Sequence, residues 1–152
     1  MRLRRTALLV CPVEFCAREV ARPASLLWVA APLLTFRPLD PPAFGPLWEP
    51  GPHWVRLLLG GRLPVGEHTL DIEEVPSGPA GTVFHDAGHS HLIKMWDHRI
   101  VLEDFHGMTR YTDSVDVRAG VLTPAVWLFA SIFYGHRQRR WHRLVTRRFD
   151  YS

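Results

Sequence analysis

Three histidines in one short stretch are the first residues whose spacing could support chemistry. His85, His89 and His91 lie at i, i+4 and i+6, which on a single strand places all three on one face. His68 and His98 lie on segments that we expect to flank this strand. Imidazole nitrogen is a common ligand of zinc and other divalent metals, so a metal site on this face is one interpretation.

Three features argue against that metal site. Neighbouring histidines on the face are about 7 Å apart by backbone rise alone. Gly88 could bulge the strand and break the shared face, and no Cys or Glu completes a known ligand spacing. We therefore expect scattered strand histidines, and we predict neither a metal nor another cofactor.

A second candidate is the pair His98 and Asp113. His98 alternates with Trp96, Ile100 and Leu102, so it shares an apolar strand face with them. Asp113 shares its own face with three residues, Tyr111, Val115 and Val117. If the two strands are neighbours, burial would shift the acid and base strength of the pair, and general acid–base catalysis is conceivable. Two alternatives remain open, which are a buried hydrogen bond that orients the strands and a contact to the polar end of a ligand.

The C-terminal part of the chain is strongly basic. The residues after position 122 include six Arg and one Asp, whereas the chain as a whole has a net charge of +3. The basic and aromatic residues concerned are His136, Arg137, Arg139, Arg140, Trp141, His142, Arg143, Arg147 and Arg148. Such a segment could bind RNA or an anionic membrane surface. The simpler interpretation is a solvated helix end whose charges complement the helix dipole.

Length and composition limit the remaining possibilities. The 152 residues, 47% hydrophobic and 22% charged, are typical of one globular domain covering 1–152. No stretch approaches the length of a membrane-spanning helix. Met1 to Cys11 imitates a lipoprotein export signal, but its apolar run is too short and Val10 is too bulky for a cleavage site. There is no G-x-S-x-G nucleophile motif, and Gly60-Gly61 is too short for a phosphate loop.

The two cysteines predict no disulfide. Cys11 and Cys16 are five residues apart, and at the start of a helix they would point to different sides. No C-x-x-C or Cys/His spacing suggests a zinc ribbon. We therefore expect a reducing, cytoplasmic location.

The helices and strands that must position these residues are predicted from hydrophobic periodicity and from the positions of prolines. Thr6–Cys11 reads as a strand, and Pro12 opens a short amphipathic helix that is followed, after Pro23, by a second helix over Ser25–Ala31. An edge strand over Leu33–Arg37 precedes a proline-rich segment. The period then changes to two in five segments, which are Trp54–Gly60, Gly66–Val75, Thr82–His91, Lys94–Phe105 and Met108–Val117.

The chain closes with a long helix. Thr123 and Pro124 form an N-cap and a first-turn proline, and the helical pattern continues to Phe149. The helix would then be about 27 residues, or about 40 Å, long. Its first half is apolar nearly all round, which is typical of a helix that packs in the concavity of a sheet. Val126, Phe129, Ala130 and Phe133 form the stripe that faces the sheet.

This order of elements resembles the helix-grip fold of the START-like, or SRPBCC, superfamily. The similarity extends to local sequence in its bacterial members: Met95 to Ile100 followed by Thr109 to Val115 resembles their last two strands. Leu122-Thr123-Pro124 leading into Trp127-Leu128-Phe129 resembles their final helix. The resemblance implies an α+β fold in which a curved antiparallel sheet of six to seven strands wraps around the long helix. It also implies an apolar cavity between them that binds lipids, polyketides or similar molecules.

We therefore expect a carrier or sensor of a hydrophobic small molecule, monomeric or homodimeric, without a specific nucleic-acid partner. A polyketide cyclase-, dehydratase- or hydrolase-like enzyme using His98 and Asp113 is the first alternative, and an interaction protein that docks on RNA or membrane through its basic helix end is the second. The expected ligand-binding residues are Leu57, His68, Leu70, Trp96, His98, Tyr111, Asp113, Val126, Phe129 and Phe133.

Overall fold

The structure is a computed structural model that describes residues 1–78 and 81–152. The side chains of residues 74–83 are not described. The strands are β1 (Arg2–Leu9), β2 (Leu34–Asp40), β3 (Gly51–Leu59), β4 (Leu63–Gly78), β5 (Gly81–Ser90), β6 (Met95–Phe105) and β7 (Met108–Arg118). The helices are α1 (Val13–Val20), α2 (Pro23–Ala30) and α3 (Thr123–Thr146), and a 3₁₀ turn (Gly120–Leu122) leads into α3. Every predicted strand and helix is present, with most boundaries shifted by a few residues.

The strands form one antiparallel sheet in the order β1-β7-β6-β5-β4-β3-β2. Tight turns produce this meander. Between β6 and β7, His106 and Gly107 have φ values of 54° and 80°, the geometry of a two-residue hairpin whose twist matches the strands. Between β3 and β4, Gly60 and Gly61 likewise have φ values of 59° and 73°. Because β1 pairs with β7, the first and last strands are neighbours, and β1 forms one edge of the sheet.

The predicted strand faces are confirmed on β6 and β7. His98, Ile100 and Leu102 are buried on one side of β6, and Tyr111 and Asp113 are buried on β7. On the opposite face of β7, Thr112 is also buried, with 1% of its surface exposed. Its hydroxyl is hydrogen-bonded to Thr6 on β1 at 3.2 Å, so the strand pairing covers it.

Helix α3 is shorter than predicted, with 24 residues instead of about 27. Arg148 and Phe149 adopt left-handed φ values of 52° and 60°, which end the helical path before Phe149. Thr123 is the first helical residue and not the N-cap. Its hydroxyl accepts from the Ala119 N–H and donates to the Gly120 carbonyl, so it stabilises the preceding 3₁₀ turn.

The prediction about the cysteines is wrong. Cys11 and Cys16 form a disulfide in the structure. The helical spacing on which the prediction rested does not apply, because α1 begins at Val13 and Cys11 lies before it, joined through the extended Pro12. The cysteine spacing therefore gives no support for a reducing compartment. Within the described ranges, no helix is long and apolar enough to cross a membrane.

Candidate functional site

A cavity of about 460 Å³ lies between the concave face of the sheet and α3. This volume falls within the range of small-molecule sites. Strands β2 to β6 supply one wall, α3 supplies the opposite wall, and α1 and α2 contribute further lining residues. Most of the lining is apolar, with the largest side chains contributed by Phe36, Trp48, Phe84, Trp96, Phe129, Phe133 and Trp141. Phe129 and Phe133 are stacked with ring centroids 5.8 Å apart, so two nearly parallel rings form part of the α3 wall.

The mouth of the cavity is also apolar. Leu59, Val65, Leu92 and Leu122 line the cavity and are each exposed to solvent. They lie at or near three connections, which join β3 to β4, β5 to β6 and β7 to α3. The exposed part of the lining is therefore mainly hydrophobic, with Glu67 as its charged residue.

The cavity also has polar lining residues, and five of them form a group that we call the polar end. They are His68, Asp86, His98, Tyr134 and Arg137. Asp86 and His98 are directly opposite each other on β5 and β6, so their side chains are neighbours on the inner face. Ring contacts join the other members: the rings of His98 and Tyr134 are 4.8 Å apart, and the Arg137 guanidinium lies 5.0 Å from the Tyr134 ring centre. Strands and helix thus converge on one polar region.

Asp113 lies directly behind the polar end and is 1% exposed. Its Oδ1 atom accepts two hydrogen bonds, one from Nε2 of His98 at 2.8 Å and one from the Tyr111 hydroxyl at 3.1 Å. The other oxygen accepts from the Gln138 amide at 3.5 Å. Because Nε2 of His98 carries the proton donated to Asp113, Nδ1 is the unprotonated nitrogen of the neutral ring. The His98–Asp113 pair predicted from the sequence is therefore present as a hydrogen bond.

The two cavity histidines are held neutral. Burial lowers the pKa of His98, and the hydrogen bond to Asp113 only partly opposes this effect. Burial, helped by the nearby His89, lowers the pKa of His68 to about 4. Both imidazoles are therefore uncharged at neutral pH and can donate or accept hydrogen bonds without adding charge to the cavity.

Asp86 is the third ionisable group whose pKa is strongly perturbed. Burial raises its pKa to about 8, although the Asp71 backbone N–H, which donates to Oδ1 at 2.9 Å, and the charge of Arg137 both lower it. The side chain keeps some accessible surface, but that surface faces the cavity, which explains the strong desolvation. At neutral pH this carboxyl is mostly protonated and can donate a hydrogen bond.

Packing around Gly88 fixes the position of these groups. A Cβ atom at Gly88 would lie 2.6 Å from Nε2 of His68 and 3.3 Å from Oδ1 of Asp86. The backbone of β5 therefore passes directly against both side chains. The bulge that the sequence suggested at this glycine is not formed, because the β4–β5 register is the same on either side of it, with Thr69 opposite His89 and Ile72 opposite Asp86.

Eight of the ten expected ligand-binding residues line the cavity, which are Leu57, His68, Leu70, Trp96, His98, Val126, Phe129 and Phe133. Tyr111 and Asp113 are buried but do not line it. The reason is that α3 covers them, since Tyr111 packs on Trp141 and Asp113 bonds Gln138. Ligand contact by the eight stays a prediction, and Tyr111 and Asp113 act instead on His98 and Arg137 from behind.

Sequence reasoning missed Asp86, Tyr134 and Arg137. A signal was present for Asp86 and Arg137. Asp86 alternates with Phe84 and Gly88 on the inner face of β5, and Arg137 extends the apolar α3 stripe by one turn beyond Phe133.

The histidines considered for metal binding do not converge. The ring nitrogens of His85 are hydrogen-bonded to Glu73 and Asp97, at 2.6 Å and 3.0 Å. His89 and His91 are exposed, whereas His68 and His98 belong to the polar end. Among the residues that the structure describes, no group of three His, Cys, Asp or Glu side chains could hold a metal ion.

Only some of the basic side chains at the end of α3 are exposed to solvent. Arg137 is buried, and Arg140 lies 3.6 Å from the Trp28 ring centre while donating two hydrogen bonds to the Trp28 carbonyl. His136 contacts the Ala31 carbonyl at 2.8 Å. These three groups anchor α3 to α2 and the sheet, and the exposed arginines are Arg139, Arg143, Arg147 and Arg148.

Comparison with solved structures identifies the fold. A protein of Chromobacterium violaceum aligns with a TM-score of 0.68 at 12% identity, over 95% of this chain and 96% of that one. The Zhui aromatase/cyclase from Streptomyces sp. R1128 aligns with a TM-score of 0.68 at 12% identity, over 99% and 96%. A START superfamily protein from Mycobacterium smegmatis gives 0.64 at 13% identity, over 96% and 97%. The predicted START-like helix-grip fold is confirmed.

The sequence comparison gives a family. The model of the Domain of unknown function (DUF8410) matches residues 51–149, and the chain belongs to this family. The matched region runs from β3 through α3 and contains the whole polar end. No curated protein matches the sequence.

Proposed function

We propose that this protein binds and carries a hydrophobic small molecule in the cavity between sheet and α3. The observation that supports the proposal is the cavity itself, about 460 Å³ in volume, apolar along its walls and polar at one end. Apolar walls provide the driving force for binding, and a few convergent polar groups orient the ligand. The exposed lining residues Leu59, Val65, Leu92 and Leu122 give an apolar molecule hydrophobic surface to contact as it enters.

Native mass spectrometry of the purified protein is the direct test. A recurrent adduct that is released by solvent extraction and identified as an apolar molecule supports the proposal. A cavity-filling variant gives the matched comparison: Val126→Trp places an indole in the cavity, whereas Val10→Trp adds the same group at a position that is 76% exposed. We expect Val126→Trp to lose the adduct and Val10→Trp to keep it. Equal retention by both variants would contradict binding in this cavity.

One observation favours a second candidate function, an acid–base enzyme. Asp86 and His98 are cross-strand neighbours in the cavity, and their perturbed pKa values leave a protonated carboxyl beside a neutral imidazole at neutral pH. Such a pair could donate and accept protons on one bound substrate. The variant Asp113→Asn separates the two functions. A carrier would keep its affinity within a few-fold, whereas an enzyme that depends on the His98–Asp113 hydrogen bond would lose turnover of the extracted ligand.

A further inference from the structure

Arg137 is a buried cation with few hydrogen bonds. Its side chain is 4% exposed and forms part of the cavity wall. Nη2 donates to the Tyr111 hydroxyl at 3.3 Å, and Nε has no partner. Wherever side chains are described, no carboxylate lies within 4.0 Å of the guanidinium. A guanidinium has five N–H donors, so most of its hydrogen-bonding capacity is unused.

The nearest carboxylate is already committed to other donors. Asp113 accepts hydrogen bonds from His98, Tyr111 and Gln138. The Tyr111 hydroxyl separates it from Arg137, because this hydroxyl accepts from Arg137 while donating to Asp113. Asp113 therefore lowers the cost of burying the cation from a distance, without forming the two parallel hydrogen bonds that an Arg–carboxylate pair makes.

A second atom in the polar end also has no partner. Nδ1 of His68 is buried, and this residue lines the same cavity. His68 is neutral, and Asp86 beside Gly88 is mostly protonated at neutral pH, so neither group supplies a counter-charge to Arg137. A buried cation without a carboxylate partner is unfavourable, and because Arg137 forms part of the cavity wall, an anionic ligand group in the cavity would lower that cost.

We propose that the ligand is an amphipathic acid whose carboxylate binds Arg137 and whose apolar part extends toward the mouth. This inference rests on the proposed function and names the chemical class of its ligand. A carboxylate matches the guanidinium fork, supplies the missing negative charge, and accepts hydrogen bonds from the protonated Asp86. The apolar walls and the exposed apolar residues at the mouth bind the remainder of the molecule.

The test compares three probes that share one alkyl chain: decanoate, decan-1-ol and decylammonium. Binding is measured at neutral pH by calorimetry, and by the intrinsic tryptophan fluorescence, because three tryptophans, Trp48, Trp96 and Trp141, line the cavity. We expect decanoate to bind at least about tenfold more tightly than decan-1-ol, and decylammonium to bind most weakly. Equal binding of the acid and the alcohol would overturn the carboxylate inference while leaving the proposed function supported. No binding of any probe would overturn both.

Variants locate the source of the preference. Arg137→Met should remove the discrimination between decanoate and decan-1-ol, and Arg137→Lys should keep part of it because the charge remains. Arg139→Met is the matched control on the same helix, where the arginine is exposed, and should behave as the native protein does. If Arg137→Met is poorly folded, Arg137→Lys and the comparison of probes on the native chain still decide the question. Retained preference in a folded Arg137→Met protein would contradict the inference.

Discussion

The variant Asp86→Asn should make the protein more stable at neutral pH, although it removes a charged residue type from a cavity wall. Burial raises the pKa of Asp86 from 3.8 to about 8. Between these two values the unfolded chain releases the proton and the folded chain retains it. The folded state therefore loses stability as pH rises from 3.8, and the loss is complete near pH 8.

The magnitude follows from the same values. Each pH unit above 3.8 lowers the free energy of unfolding by about 1.4 kcal/mol, which gives about 4 kcal/mol at pH 7. Asparagine cannot ionise, and it keeps an Oδ1 that can accept from the Asp71 N–H. Relaxation of the polar end in the native protein reduces the difference, so we expect a gain of about 2–4 kcal/mol at pH 7 and a gain near zero at pH 4.

Urea unfolding followed by tryptophan fluorescence at the two pH values measures this difference. The exposed Asp104, changed to Asn, is the matched control and should leave the unfolding midpoint unchanged. A gain of equal size at both pH values would show that proton linkage is not its cause. A loss of stability at pH 7 would show that Asp86 is ionised in the folded protein, and the acid–base description of the polar end would then be wrong.

Two further variants probe the packing and the network behind the cavity. Gly88→Ala should destabilise the protein by about 1–3 kcal/mol, because the added Cβ would lie 2.6 Å from Nε2 of His68. In the control Gly45→Ala the added Cβ meets its nearest atom at 3.5 Å, so this variant should be close to neutral. Equal effects of the two variants in thermal unfolding would refute the steric argument. Asp113→Ala should lower the free energy of unfolding by about 3–5 kcal/mol, because it leaves the His98, Tyr111 and Gln138 donors without an acceptor near the buried Arg137. A loss below about 1 kcal/mol in urea unfolding would show that water replaces the carboxylate.

The fold was largely predictable because its signals are local. Alternation over β6 and β7 identified the buried faces, and His106-Gly107 marked the hairpin between them. The end of α3 was not predictable in this way, since Arg148 and Phe149 are residue types that rarely adopt a left-handed conformation. The Cys11–Cys16 pairing was missed for a similar reason. It depends on the extended Pro12 between a strand and a helix, and not on any helical spacing.

The sequence predicted which side chains of the candidate site face the inside of the sheet, but not which of them reach the cavity. Strand period assigns a side chain to the inner face, yet it does not say whether a helix covers that side chain. Tyr111 and His98 both face inward, but Tyr111 packs under Trp141 and only His98 reaches the cavity. Arg137 was missed because it was grouped by charge with exposed neighbours such as Arg139. Its helical position, four residues after Phe133, instead places it on the buried face.

The polar end lowers the stability of the free protein, and this cost is an argument for its role in binding. A core built for stability alone would favour apolar side chains of similar volume at positions such as Asp86 and Arg137. Here a neutral carboxyl, two neutral imidazoles and a cation without a direct counter-ion meet at one end of an otherwise apolar cavity. An anionic head group would remove the largest of these costs, because it supplies the charge that Arg137 lacks. The carboxyl of Asp86 must stay protonated for this to work, since an ionised Asp86 would repel the same anion. The raised pKa of Asp86 and the lack of a described carboxylate within 4.0 Å of the Arg137 guanidinium both fit this requirement.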